Sequence, residues 1–157
     1  MIEPRGSEGQ KVFLLVEDSA DDVFLVDTEF RRFPKARLCI VREGQEAVDY
    51  LQGKPPYDDR REFPVPDIIL LDLKMPKMDG FEVLRWIRGQ KPREIGLIPV
   101  VIMTGSISNE EIRHAYQDGA NCVVTKPVDW SKLRGEIGLL LTFWCESVKT
   151  IQPTVMS

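Results

Sequence analysis

The sequence is short of several things that would announce a function early. It has three cysteines, Cys39, Cys122 and Cys145, an odd number set far apart. No C-x-x-C pair is present, so neither a zinc ribbon nor dithiol redox chemistry is expected. The three read as buried thiols in a reducing cytoplasm. Basic charge is not in excess: 21 Lys and Arg stand against 25 Asp and Glu, a net −4. That excludes the basic footprint that general nucleic-acid binding requires, and no DNA partner is expected. No apolar run approaches the roughly 20 residues of a membrane span. Residues 1–10 lack the apolar centre of a signal peptide and read as a flexible arm. The pattern G-x-x-x-x-G-K is missing, which excludes a P-loop. No internal repeat or low-complexity segment occurs.

What is present is an alternation of apolar runs and helical patterns. At 157 residues with 43% hydrophobic content, the chain suits one domain with a substantial core. Residues 68–71 (Ile-Ile-Leu-Leu) form an unbroken apolar run between Pro66 and Met75-Pro76, the mark of a strand buried on both faces. Residues 11–16, 37–41, 98–103 and 122–124 read the same way. Between them come helices. Ser19 with Asp22 makes a capping-box pattern, followed by Val23, Val26, Phe30 and Phe33 at helical spacing, and Pro34 ends that helix. Gly44 precedes a short helix with Ala47, Val48 and Leu51. Val83, Leu84 and Ile87 mark a third. Ser108 with Glu111 opens a fourth, containing Ile112, Ala115 and Tyr116 and stopped at Gly119. Trp130, Leu133, Ile137, Leu140 and Trp144 give the fifth. Residues 53–66, with four prolines and the charges from Asp58 to Glu62, read as a long solvated loop.

Apolar strands alternating with helices imply a parallel sheet covered on both faces. The fold class is α/β: a flavodoxin-like (CheY-like) doubly wound five-stranded parallel sheet, order 2-1-3-4-5. The domain boundaries fall at 11–146, with residues 147–157 as a tail.

In such sheets ligands bind beyond the carboxyl ends of the strands. The first strand ends at Glu17 and Asp18, the third at Asp72, the fourth at Thr104 and the fifth at Lys126. With neighbouring strands about 4.8 Å apart, these groups converge on one rim. Clustered carboxylates repel unless a cation joins them, and hard charged oxygens suit Mg²⁺, or Mn²⁺ in its place. A carboxylate can also take a phosphoryl group as a nucleophile. Metal, ammonium and hydroxyl then offset its charge.

At these residues the chain resembles a two-component response regulator receiver domain. The matching segments are Val16-Glu17-Asp18-Ser19, Leu71-Asp72-Leu73-Lys74-Met75-Pro76-Lys77-Met78-Asp79-Gly80, Met103-Thr104-Gly105 and Thr125-Lys126-Pro127. The resemblance spans roughly residues 10–146. It implies Asp72 as phosphoacceptor from a sensor histidine kinase. It implies Asp18, Asp72 and the backbone carbonyl of Lys74 as metal ligands, with Glu17 acting through a metal-bound water. Thr104 and Gly105 would form the phosphoryl-binding switch, Lys126 would pair with the phosphoryl group, and the Lys126–Pro127 peptide would be cis. Such a protein is not an enzyme in the ordinary sense, although it catalyses its own phosphorylation and dephosphorylation. The Pro-rich insert, residues 106–112 and the apolar end 139–144 look like the stand-alone receivers that partner phytochrome-type kinases. One departure stands out. Receivers commonly carry Tyr or Phe three residues before the lysine, and here that position is Val123. The signal is therefore expected to run through the loop after Thr104 and the helix that follows.

Residues 147–157 are too short for an effector domain, so output is expected through protein contact or relay to a downstream phosphotransfer protein in the cytoplasm. Leu139, Leu141 and Phe143 lie off the expected core stripe of the last helix. Together with Trp144 they are expected to form a homodimer face. His114 is expected to be a solvated side chain rather than a relay residue. Two alternatives share the fold or the chemistry. A flavodoxin-like electron carrier needs a Ser/Thr/Gly-rich phosphate loop after strand one, where this chain has repelling acids. An aspartyl-phosphate phosphohydrolase usually has an acid two residues beyond the nucleophile, where this chain has Lys74.

Overall fold

The computed structural model describes residues 9–151. Strands and helices alternate as β1 (Lys11–Val16), α1 (Ala20–Phe30), β2 (Ala36–Val41), α2 (Gly44–Gln52), β3 (Ile68–Leu71), α3 (Gly80–Arg88), β4 (Val100–Thr104), α4 (Asn109–Gln117), β5 (Cys122–Thr125) and α5 (Trp130–Thr142). The sheet order is β2-β1-β3-β4-β5 and every pairing is parallel. A 3-10 turn, Glu94–Leu97, precedes β4 and was not foreseen from the sequence. The expected arm lies almost wholly outside the described residues, as does the end of the tail beyond Ile151.

Side chains alternate across the strands and fill two apolar layers. Leu14, Val16, Ile69, Leu71 and Ile102 face one layer, closed by Val83, Leu84 and Ile87 of α3 and by Ala47 and Leu51 of α2. Phe13, Leu15, Ile68, Leu70 and Val101 face the other, closed by α1 and α5. All four residues of β3 are buried, each stabilising the fold by roughly 1.5–3 kcal/mol relative to exposure. β3 thus lies in the buried centre of the sheet, and Asp72 follows directly at its end. The Asp72 N–H donates to the Val16 carbonyl (3.1 Å), and the Glu17 N–H donates to the Val41 carbonyl (3.1 Å). These bonds carry the strand register one residue into the loops.

The loop at 53–66 is less solvated than its composition suggests. Tyr50, Tyr57 and Phe63 pack ring to ring at 5.2–6.0 Å. Arg60 donates to the carbonyls of Tyr50 (2.8 Å), Leu51 (2.9 Å) and Phe63 (3.2 Å). Its guanidinium thereby adds partners for two carbonyls in the last turn of α2 and ties them to Phe63 across the loop.

The last helix corrects the expected stripe. Its buried residues are Leu133, Ile137 and Leu141, followed by Trp144 in a π turn, Phe143–Ser147. Leu141 is fully buried and Trp144 is 9% exposed, so neither can form a dimer face, whereas Leu139 (71%) and Phe143 (57%) are exposed. Trp130, expected in the core, is 47% exposed. The stripe advances by four residues per step rather than alternating three and four, and the wide π turn then rotates Trp144 under the sheet. Beyond it the tail crosses the opposite rim from the acids. Lys11 Nζ donates to the carbonyls of Trp144 (2.8 Å) and Val148, and the Thr150 hydroxyl donates to Asp67 Oδ1 (3.1 Å).

Candidate functional site

The acidic end of β1 and the end of β3 are neighbours because β1 and β3 pair, with Val16 opposite Leu71. Ligand oxygens of Glu17, Asp18 and Asp72 lie within 4.8 Å of one another. Glu17 and Asp72 are buried at 3% and 7% exposure, while Asp18 is exposed. Hard, charged oxygens at this separation fit a divalent cation. The Asp72 side chain is also held from below, since the Lys74 N–H donates to its Oδ1 (3.3 Å).

Close backbone approach shapes the loop after β3. At Gly80 an added Cβ would lie 2.3 Å from the Asp72 carbonyl oxygen and 2.6 Å from Leu73 Cα. Only glycine lets the start of α3 press against the strand end that carries Asp72. The Gly80 N–H donates to the Leu73 carbonyl (3.0 Å), and Asp79 caps the helix through the Glu82 N–H (2.9 Å).

Lys126 closes the cluster from β5. Its N–H donates to the Thr104 carbonyl (2.8 Å), which continues the β4–β5 pairing of Thr104 with Thr125. Its ammonium bonds Glu17 Oε2 at 2.6 Å and Asp22 Oδ2 at 2.8 Å, and stands 3.9 Å from Asp72 Oδ2. Burial alone would lower the Lys126 pKa, but the bonds to Asp22 and Glu17 and the Asp72 charge outweigh it and hold the value above that of a free lysine. Burial pushes the Glu17 carboxyl up to about 7, against the pull of Lys126. The ammonium is thus firmly charged among acids that repel one another.

The Thr104 hydroxyl is fully buried and has no hydrogen-bond partner among the described residues. An unsatisfied buried hydroxyl costs about 1–3 kcal/mol, and such costs concentrate where a group awaits a ligand. Thr104, Gly105, Asp72 and Lys126 line one groove of about 510 Å³, together with Asp22 and Lys74. The expected cluster is therefore assembled in space. The Lys126–Pro127 peptide departs from expectation. Among the described residues the cis bonds are Pro55–Pro56 and Lys91–Pro92, and Lys126–Pro127 is not one of them. Both forms of an X–Pro bond lie within about 1 kcal/mol, so residue identity does not decide which is present.

Sequence reasoning missed Asp22 and Tyr116. Asp22 was taken for a capping-box acid, yet its carboxylate binds Lys126 instead. The Tyr116 hydroxyl of α4 accepts the Val123 N–H at 3.2 Å. An aromatic residue from the helix thus touches the backbone at the very position where an aromatic side chain was expected. His114 is also less free than expected: it stacks on Phe81 (4.6 Å, 17°) and its Nε2 lies 3.2 Å from Asp118.

Comparison with known proteins agrees with this geometry. The family model described as the response regulator receiver domain matches residues 13–138. Response regulator Rcp1 of Synechocystis sp. is 37% identical over 143 residues, 90% of this chain and 94% of that protein. The crystal structure of Mn²⁺-bound Rcp1 superposes with a TM-score of 0.82 at 35% identity, covering 90% of this chain and 99% of that one. The phosphorylated cyanobacterial phytochrome response regulator RcpA superposes with a TM-score of 0.84 at 33% identity, covering 91% and 99%. With the acids, the hydroxyl and the lysine gathered on one rim of a 2-1-3-4-5 sheet, the chain belongs to the response regulator receiver domain family.

Proposed function

We propose that Asp72 accepts a phosphoryl group from the phosphohistidine of a sensor kinase. The observation that carries this reading is the meeting of three carboxylates within 4.8 Å of one another, with one of them, Asp72, 3.9 Å from the Lys126 ammonium. In the transfer the N–P bond breaks and its electron pair stays on the imidazole nitrogen. An Asp72 carboxylate oxygen forms the new O–P bond.

Asp18, Asp72 and the Lys74 carbonyl would hold Mg²⁺ or Mn²⁺, with Glu17 reaching it through water, and the cation would offset charge on the transferring phosphoryl group. The protein's own residues supply the rest. β3 and the Lys74 N–H fix Asp72 in position. Lys126 offers a fixed positive charge beside it, and Thr104 offers a hydroxyl without competing bonds. Transfer replaces the single carboxylate charge with the roughly −1.5 to −2 of a phosphoryl group, a net gain of about −0.5 to −1 spread over three oxygens, which favours movement of Thr104 and Lys126 toward the phosphoryl oxygens.

The link from Tyr116 to the β5 backbone supports output through the loop after Thr104 and α4, in place of an aromatic residue at 123. Exposed Leu139 and Phe143 support a homodimer. Similarity to Rcp1 and RcpA supports a phytochrome-type kinase as the upstream partner, with relay to a protein target in the cytoplasm. Among the described residues no helix is long and apolar enough to cross a membrane.

The test is transfer from an autophosphorylated phytochrome-type histidine kinase carrying labelled phosphate. Label should move to the wild-type protein when Mg²⁺ is added and should stay on the kinase with Asp72→Asn. Equal transfer to both proteins would refute the assignment.

A further inference from the structure

We infer that Asp22 is a positioning residue for phosphoryl acceptance: it holds the Lys126 ammonium back from Asp72 and thereby sets how readily the acceptor is esterified. The inference deepens the phosphoacceptor reading and rests on it. It starts from two copies of one local motif that end differently. At α4 the capping box is complete: the Glu111 N–H donates to Ser108 Oγ (3.1 Å), and the Ser108 N–H donates to the Glu111 carboxylate (3.1 Å). At α1 only half of it forms. The Asp22 N–H donates to Ser19 Oγ (3.3 Å), but the Ser19 N–H is taken by Glu17 Oε1 (3.1 Å). The Asp22 carboxylate is thus released from helix capping and reaches Lys126 at 2.8 Å.

Both short bonds of the ammonium therefore go to Glu17 and Asp22, and neither goes to the acceptor. Glu17 is enclosed, but the Asp22 side chain is about one-third exposed and lines the groove beside Asp72 and Thr104. Asp22 acts in two ways. It competes for the positive charge that an incoming phosphoryl group needs, and it places a negative charge on the path of an anionic donor. Its backbone N–H, not its carboxylate, does the capping, so removing the charge leaves the start of α1 intact.

Acetyl phosphate provides the probe. In that reaction the P–O bond to the acetyl group breaks, acetate leaves with the electron pair, and an Asp72 oxygen forms the new bond to phosphorus. The rate of phosphorylation against donor concentration is measured with Mg²⁺ for wild type, Asp22→Asn and Asp22→Glu, alongside thermal unfolding of each. Asp22→Asn is expected to raise kcat/KM by about three- to ten-fold, mainly through a lower half-saturating donor concentration. Asp22→Glu, which keeps the charge, is expected to return toward wild type. A purely structural role would move the unfolding temperature of both variants without separating their kinetics by charge. Equal or slower phosphorylation of a folded Asp22→Asn would overturn the inference and leave the phosphoacceptor reading standing. Failure of wild type itself to gain phosphate would overturn both.

Discussion

Lys126 Nζ stands 3.9 Å from Asp72 Oδ2, beyond hydrogen-bond length yet within strong charge interaction. The pair is poised rather than closed. Lys126 is anchored by shorter bonds to Glu17 and Asp22, so its positive charge is shared among three acids rather than given to Asp72 alone.

The acidic cluster stores repulsion that a cation relieves. Addition of Mg²⁺ at ten times its Kd should stabilise the fold by about 1.4 kcal/mol. Asp18→Asn, which removes one of the three clustered charges, should raise the cation-free Tm by about 2–4 °C and abolish the Mg²⁺ gain. Thermal unfolding with and without Mg²⁺ checks both parts.

Thr104 carries a buried hydroxyl with no partner among the described residues. Thr104→Val keeps the shape and removes that cost, so unfolding in urea should show unchanged stability or a gain of up to about 1 kcal/mol. Phosphorylation is expected to change hydrogen exchange in α4 of the wild type, and the same variant should lose that change. A large loss of stability would show that the hydroxyl is bonded in the resting protein.

Gly80→Ala places a methyl group 2.3 Å from the Asp72 carbonyl oxygen. Because the obstacle is backbone, relief requires α3 or the loop after β3 to shift. A loss of about 2–3 kcal/mol is expected, together with slower phosphorylation at Asp72. Urea unfolding and the acetyl phosphate rate measure the two effects.

Much of this was legible in the sequence because the signals were local or periodic. Unbroken apolar runs gave β1 and β3, the caps Ser19 and Ser108 located helix starts, and the acid, hydroxyl and lysine at successive strand ends located the site. What could not be read depended on how one element rotates or reaches across to another. Leu141 was assigned to the surface and is buried because α5 drifts by four residues per step. Arg60 looked solvated and binds three carbonyls across a folded-back loop. Asp22 fits a capping box in sequence, and only the position of Lys126, 104 residues away, shows where its carboxylate goes.

Of the four residues expected at a dimer face, two remain. Leu139 and Phe143 are exposed on one end of α5, so the double variant Leu139→Ser/Phe143→Ser should be monomeric where wild type is dimeric, with the same Tm within a few degrees at low concentration. Sedimentation at micromolar concentration decides it. A monomeric wild type would reject the dimer.

The most direct measurement is chemical location of the phosphoryl group. The protein is phosphorylated with acetyl phosphate and Mg²⁺, reduced with borohydride, which converts an aspartyl phosphate to homoserine, and mapped by peptide mass spectrometry. Homoserine at position 72, absent when Mg²⁺ is withheld, is the predicted result; homoserine at another acid, or none at all, would contradict the account.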